Sequence, residues 1–245
     1  MTGGLILHLS GPLQAWGGPQ GHGTYPTGTH PTRSALIGLL AACLGRALDA
    51  DNSDLARLHF TIRVDRPGQR ESDFHTIGGG YPPGHTPPDA TGRHRTQPGQ
   101  GALTTTRWYM TDAAFTIAVT GPARTLHTLT GAIDHPHYPP YLGRRSCVPD
   151  IPLTAWPTPS DPVAELRRFP LHRARRPTGP VEFISDTPPR PGTPPDATLR
   201  NEPAPGGTFT DYDLWHHHET LPPDTPTGTG TAYLKALTRY RETRP

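Results

Sequence analysis

The sequence predicts an α+β fold built on a ferredoxin-like βαββαβ unit, with a long insertion at its middle and a small irregular β-rich part behind it. Three observations carry that expectation. The apolar periodicity alternates between strand and helix in the order strand, helix, strand, strand, helix. Between the two central strands, residues 66–106 are rich in Gly, Pro, His, Thr and Arg, with almost no apolar content. The 33 prolines and 27 glycines of the 245 residues are unevenly spread, and they leave several clearly periodic segments intact.

Each element has its own warrant. Leu5–Leu9 is a short apolar run stopped by Gly11–Pro12, which reads as a buried strand entering a glycine-rich loop. Leu36, Ile37, Leu40, Cys43, Leu44, Ala47 and Leu48 then recur at helical spacing, with Thr32 placed to cap the helix. In residues 58–64, Leu58, Phe60, Ile62 and Val64 alternate with His59, Thr61 and Arg63, so the two sets are expected on opposite faces of a strand. Phe115, Ile117 and Val119 repeat that alternation. Leu126, Leu129 and Ile133 space a second helix, with Pro122 suited to its first turn. The last strand of the unit is expected within 146–155. Beyond about 156 the chain is Pro-rich, with strand-like pieces at 181–185 and 208–215.

Composition excludes several classes. No apolar run approaches the roughly 18 residues of a membrane span, and no signal peptide is visible, so a soluble, cytoplasmic protein without a membrane partner is expected. Cys43 and Cys147 lie far apart without metal-ligand spacing, so neither a zinc site nor a disulfide framework is expected. No phosphate-loop lysine, nucleophile elbow, zinc-protease helix or dinucleotide fingerprint is present, and no cofactor or catalytic residue is assigned. The net charge of +2 hides an imbalance, because Lys235 is the only lysine and arginine supplies nearly all the positive charge. Planar guanidinium forks suit phosphate and base recognition. Residues 166–176 hold five arginines and no acid, shortly after Arg144–Arg145, and a run of this kind fits nucleic acid or a solvated face.

Several stretches admit two readings. At the start of the first helix, Arg33 and Ser34 could seat a phosphate or form an ordinary cap. Gln14 and Trp16 stand among glycines, where the indole could stack on a base or plug the core. Asp73 and His75 could pair as orienter and base, but no nucleophile stands beside them. His216–His218 read as an exposed strand or loop rather than a metal tract, because neighbours on a strand alternate faces. Residues 141–152, "YLGRRSCVPDIP", put two arginines in a loop bounded by glycine and proline. Arginine, aromatic and glycine loops at element ends are the apparatus of RNA binding by shape, stacking and phosphate contact.

Together, "LSGPLQAWG", "PTRSALIGLLAACLG", "DFHT", "TTTRWYMTDAAFTIAV" and "YPPYLGRRSCVPDIPL" resemble, in order, the blocks of the CasD family, over roughly residues 3–155. That family is the RAMP-superfamily subunit of the type I-E CRISPR Cascade complex. The resemblance implies an RRM-like RAMP domain at 1–155 with a thumb β-hairpin inserted at about 74–106; the small Pro-rich, β-containing part at 156–245, read from composition, matches the family only weakly. It implies a non-catalytic subunit in antiviral defence that caps and hooks the crRNA 5′ handle. The implied partners are the crRNA, the backbone subunit CasC, the large subunit CasA and, indirectly, target DNA. Transferred to this chain, it points to Gln14, Trp16, Arg33, Ser34, His75, Thr76, Arg107, Tyr138, Tyr141, Arg144 and Arg145 as RNA-binding residues. The thumb stretch is so rich in proline that a regular hairpin is expected to be short and interrupted. The alternative is a metal-independent endoribonuclease acting on CRISPR repeat transcripts, with His22, His75 or Tyr25 as candidate groups. A ferredoxin-like interaction module without RNA would leave the paired arginines and the long thumb unexplained.

Overall fold

The computed structural model describes residues 3–18, 23–77, 92, 103–204 and 208–243. A seven-stranded sheet forms the centre of the molecule. Its first strand β1 (Gly4–Ser10) is followed by the two-residue strands β2 (Leu13–Gln14) and β3 (Thr24–Tyr25), and then by α1 (Arg33–Cys43). Next come β4 (His59–Arg66), β5 (Gln69–Ile77), β6 (Leu103–Thr111), β7 (Ala114–Thr120) and α2 (Ala123–Asp134). The chain ends with β8 (Trp156–Thr158), α3 (Pro162–Leu166), β9 (Val181–Ser185), β10 (Ala197–Ala204), β11 (Thr208–Glu219) and α4 (Gly230–Thr243).

The sheet order is β10-β11-β9-β4-β7-β1-β8. Strands β4, β7, β1 and β8 are antiparallel to their neighbours. This is the order a split βαβ pair requires, since β1 and β4, joined through α1, are held apart by β7. The ferredoxin-like unit is therefore present. Thr32 caps α1 as its position suggested, its hydroxyl accepting from Ala35 N at 3.3 Å. Pro122 stands one residue earlier than expected, at the N-cap of α2.

Two features of the sequence reading change. The closing strand is β8 and not a strand within 146–155, a stretch interrupted by Pro149 and Pro152. Pro157 is accommodated in β8 because the strand is a sheet edge, where a missing N–H costs no ladder bond. Residue 155 also marks no break in the sheet, for β9 pairs with β4 and β11 pairs with β9.

Both faces of the sheet are covered. Leu5, Leu7, Leu9, Phe115, Ile117 and Val119 pack with Leu36, Leu40, Leu129 and Ile133 of α1 and α2. On the other face Ile6 meets Phe169, Tyr233 and Leu237, while Ala118 meets Leu166, Leu171 and Phe183. Arg63, on the face opposite the apolar set of β4, is fully buried there. Its Nε donates to Asp65 Oδ1 at 2.7 Å, and its terminal nitrogens donate to the carbonyls of Leu166, Phe169 and Pro170 at 2.6–2.8 Å. Asp65 Oδ2 also accepts from Thr116 Oγ1 at 2.9 Å and His172 N at 3.0 Å. His8 completes the cluster, with Nε2 at 2.9 Å from His172 Nδ1 and Nδ1 at 3.1 Å from Thr116 Oγ1. Tyr233 of α4 stacks on His172 at 4.1 Å. Burial pushes the His8 pKa down to about 3 and lowers that of His172 as well. Burial alone would raise the Asp65 carboxyl, but Arg63 beside it holds the group below its ordinary value.

Candidate nucleic-acid interface

Strands β5 and β6 leave this core as an antiparallel hairpin, in register from Gln69 opposite Thr111 to Ile77 opposite Leu103. The ladder thus begins before residue 74 and ends after 106. The proline-rich stretch expected to interrupt it, including Arg93, His94 and Arg95, lies outside the described residues, as does His22. On its other edge β6 pairs with β2 at Thr111 and Met110, and with β3 at Thr106 and Arg107. The hairpin is therefore anchored to the first glycine-rich loop.

Strand alternation sorts its side chains into two faces. On one, Asp73 lies opposite Arg107 and His75 opposite Thr105. The Arg107 guanidinium sits 5.6 Å from the Tyr25 ring centre, and His75 Nε2 lies 2.7 Å from Asp73 Oδ2. The opposite face carries Arg70, whose guanidinium lies 5.3 Å from the Trp108 ring, and Phe74, which is 68% exposed. Sequence reasoning passed over Phe74, Arg70 and Trp108. The available signal was slight: Arg70 and Phe74 are four residues apart, hence on one face of β5, and Trp108 stands in a strand otherwise rich in threonine.

The loop at 141–147 is folded tightly against this hairpin. Leu142 and Cys147 are fully buried and bridge the loop, with Leu142 N donating to Cys147 O at 2.8 Å. Ala15 N donates to Leu142 O at 3.0 Å. Gly143, at φ +88°, passes so close to Ala15 that a Cβ would stand 1.6 Å from its carbonyl oxygen. Burial pushes the Cys147 thiol above its ordinary pKa. The two arginines then divide. Arg144 donates to Trp108 O and Tyr25 O at 3.0 Å and to Pro26 O at 3.3 Å, while lying 4.8 Å from the Tyr109 ring. Arg145 is exposed. Arg144 therefore fastens the loop to β6 and β3, and Arg145 presents its charge to solvent.

The other expected site residues distribute as follows. Tyr138 and Tyr141, 48% and 36% exposed, lead into the loop, and Tyr138 N is tied to Ala42 O at 3.3 Å. Thr76 is exposed on β5 and Ser34 is half-buried beside Thr32. Three residues are corrected. Trp16 is fully buried, edge-on to Phe115, and its Nε1 donates to Gln14 Oε1 at 2.9 Å. Gln14 is equally buried and donates to Ala113 O at 2.7 Å, so neither side chain can reach a base. Arg33 is 8% exposed and ion-paired with Asp186, and it donates to Leu58 O and Ala56 O at 2.6 Å. Its charge and donors are spent inside the fold, so the start of α1 is no phosphate seat. Asp186 also sits 3.6 Å from His59 Nδ1 and raises that histidine's pKa.

This geometry offers aromatic faces, exposed arginine and a projecting ladder beside a rigid loop. It suits stacking on unpaired bases and contact with a phosphodiester backbone. Among the described residues no three His, Cys, Asp or Glu side chains are grouped to hold a metal. No described helix is long and apolar enough to cross a membrane.

Comparison with known proteins agrees with the fold. The family model described as CRISPR-associated protein (Cas_Cas5) matches residues 4–227. The CRISPR system Cascade subunit CasD of Escherichia coli strain K12 is 42% identical over 164 residues, covering 61% of this chain and 68% of that protein. A chain from a solved CRISPR RNA-guided surveillance complex superposes with a TM-score of 0.83 at 36% identity, covering 98% of this chain and 100% of that one. A solved Cas protein superposes with a TM-score of 0.63 at 26% identity, over 91% and 97% of the two chains.

Proposed function

Because the chain belongs to the Cas5 family of CRISPR-associated proteins, we propose that it is a non-catalytic RNA-binding subunit of a Cascade surveillance complex. In this role it holds the 5′ handle of the crRNA, contacts a CasC-like backbone subunit and a CasA-like large subunit, and meets target DNA only through the guide. Its place of action is the cytoplasm. The observation that carries the reading is the β5–β6 hairpin with the loop at 141–147 fastened to its base by Arg144.

The chemistry is positioning. Exposed Phe74, Tyr138 and Tyr141 offer ring faces to splayed bases. Arg145 and Arg107 supply positive charge for phosphates, while Arg144 keeps the loop in place. Sequence choice is left to pairing between guide and target, so this surface has only to recognise backbone and shape.

One observation favours a second reading. His75 beside Asp73 forms a pair that could act as base and orienter on a ribose 2′-hydroxyl. Incubating the purified chain with labelled repeat RNA in EDTA decides between them. Retention of intact RNA is expected. Cleavage leaving a 2′,3′-cyclic phosphate, abolished in His75→Ala, would replace the scaffold with a processing nuclease.

A further inference from the structure

The arginine run at 166–176 does not act as one unit. In its first half Arg167 pairs with Glu219, while Arg168 is exposed. Its second half emerges from the buried His172 and forms an open cleft of about 680 Å³ at the base of the hairpin. Arg66, Arg173, Arg175 and Arg176 line this cleft, with Asp112 as the only acid among its lining residues.

The way these side chains are held matters. Arg173 Nε donates to Asp65 O at 2.6 Å, and Arg176 donates to Leu221 O at 2.8 Å and Pro222 O at 2.6 Å. Carbonyls fix a guanidinium without cancelling its charge, so the positive potential survives the tethering. Arg66 meets Asp112 at 3.1 Å, but that carboxylate is 77% exposed and solvent weakens the pair. Arg66 Nε has no partner among the described residues. Arg175 is exposed. Four cations against one carboxylate, on a wall of backbone that cannot relax away, make a preorganised anion site.

Its position identifies the anion. Arg66 ends β4 immediately before the hairpin begins at Gln69, and Asp112 follows the hairpin's last residue, Thr111. The cleft and the loop at 141–147 both adjoin the base of the hairpin, the cleft at the β4 and β7 ends and the loop at β6. An open trough suits a polymer better than a small ion, and arginine forks suit phosphate. We propose that this cleft is a second phosphodiester seat for the RNA strand held by the hairpin, with Arg175 and Arg66 meeting backbone phosphates. The inference rests on the RNA-binding function proposed above and adds a binding surface to it.

The test compares wild type, Arg175→Glu and Arg145→Glu for binding of labelled single-stranded RNA carrying the repeat-derived handle, titrated across salt. Arg175 is exposed, so its reversal should leave the melting temperature unchanged. The expected result is an affinity loss of about tenfold for Arg175→Glu, with the salt slope reduced by roughly 0.7 for each phosphate that is no longer neutralised. Arg66→Gln should lower the slope in the same direction. If Arg145→Glu weakens binding while Arg175→Glu and Arg66→Gln match wild type, the cleft is not on the RNA, although the proposed function stands. If wild type binds no RNA, both readings fall. If Arg175→Glu spares RNA binding but prevents assembly with the other subunits, the occupant is an acidic protein surface and the phosphate seat is refuted.

Discussion

At the scale of single residues, burial decides what each polar side chain can do. Trp16 and Arg33 look like ligand groups in a linear reading because their partners are distant in the chain: Phe115 for one, Asp186 for the other. No local pattern announces such partners, so the core was only one of two open readings for Trp16, and burial was not among those for Arg33. Trp16→Ala should therefore cost about 3–5 kcal/mol of stability, seen as a lower denaturation midpoint, whereas a stacking residue would leave the midpoint unchanged. His8 makes a pH prediction. Its pKa is near 6.5 when unfolded and about 3 when folded, so between those values the unfolded chain binds the extra proton. Stability is therefore full above about pH 6.5 and falls as the solution is acidified, by about 2–3 kcal/mol at pH 4.5 from this group. Asp65, with a lowered pKa, adds its own loss only at still lower pH. Denaturant midpoints measured from pH 7 to 4.5 should drop less steeply in His8→Gln than in wild type; equal slopes would remove His8 as the cause.

At the scale of elements, the strong periodicities were readable and their surroundings were not. The alternation in β4 is real, yet Thr61 and Arg63 of its polar set face a buried layer, because α3, the segment around Phe169 and α4 cover that side of the sheet. Helix α4 had its own signal in the spacing of Tyr233, Ala236, Leu237 and Tyr240, set within a chain otherwise full of proline. The loop at 141–147 was legible as basic, but its division of labour was not. Arg144→Ala removes the donors that hold the carbonyls of Trp108, Tyr25 and Pro26, and should lower the melting temperature together with RNA affinity. Arg145→Ala should spare melting and reduce only affinity and its salt slope, by about 0.7. Gly143→Ala forces a Cβ onto Ala15 and should lower melting by roughly 6 °C for about 2 kcal/mol. A Gly143→Ala protein that melts like wild type would show that the loop does not depend on this approach.

At the scale of the whole molecule, covering both sheet faces moves the proposed RNA-binding surface. Single RNA-recognition sheets commonly stack bases on an open face. Here that face carries Arg63, Asp65 and His8 beneath the C-terminal layer, and the exposed aromatic and basic groups stand on the hairpin and the loops at its base. The ferredoxin-like order was legible because β1, α1, β4, β7 and α2 each have local periodicity. The strand-like pieces at β9 and β11 were legible, but their joining to this sheet was not, since the pairing of β9 with β4 spans more than a hundred residues and leaves no local trace. Deleting residues 156–245 should therefore strip cover from a buried ion pair, a change worth several kcal/mol, and yield a chain without a cooperative melt by circular dichroism. The most direct measurement of the proposed role is a nuclease footprint on guide RNA in a reconstituted surveillance complex, with and without this chain. Protection of the 5′ handle that disappears when the chain is omitted, and weakens with Arg145→Glu, is the expected result. An unchanged 5′ footprint in its absence would contradict the assignment of this surface to the handle.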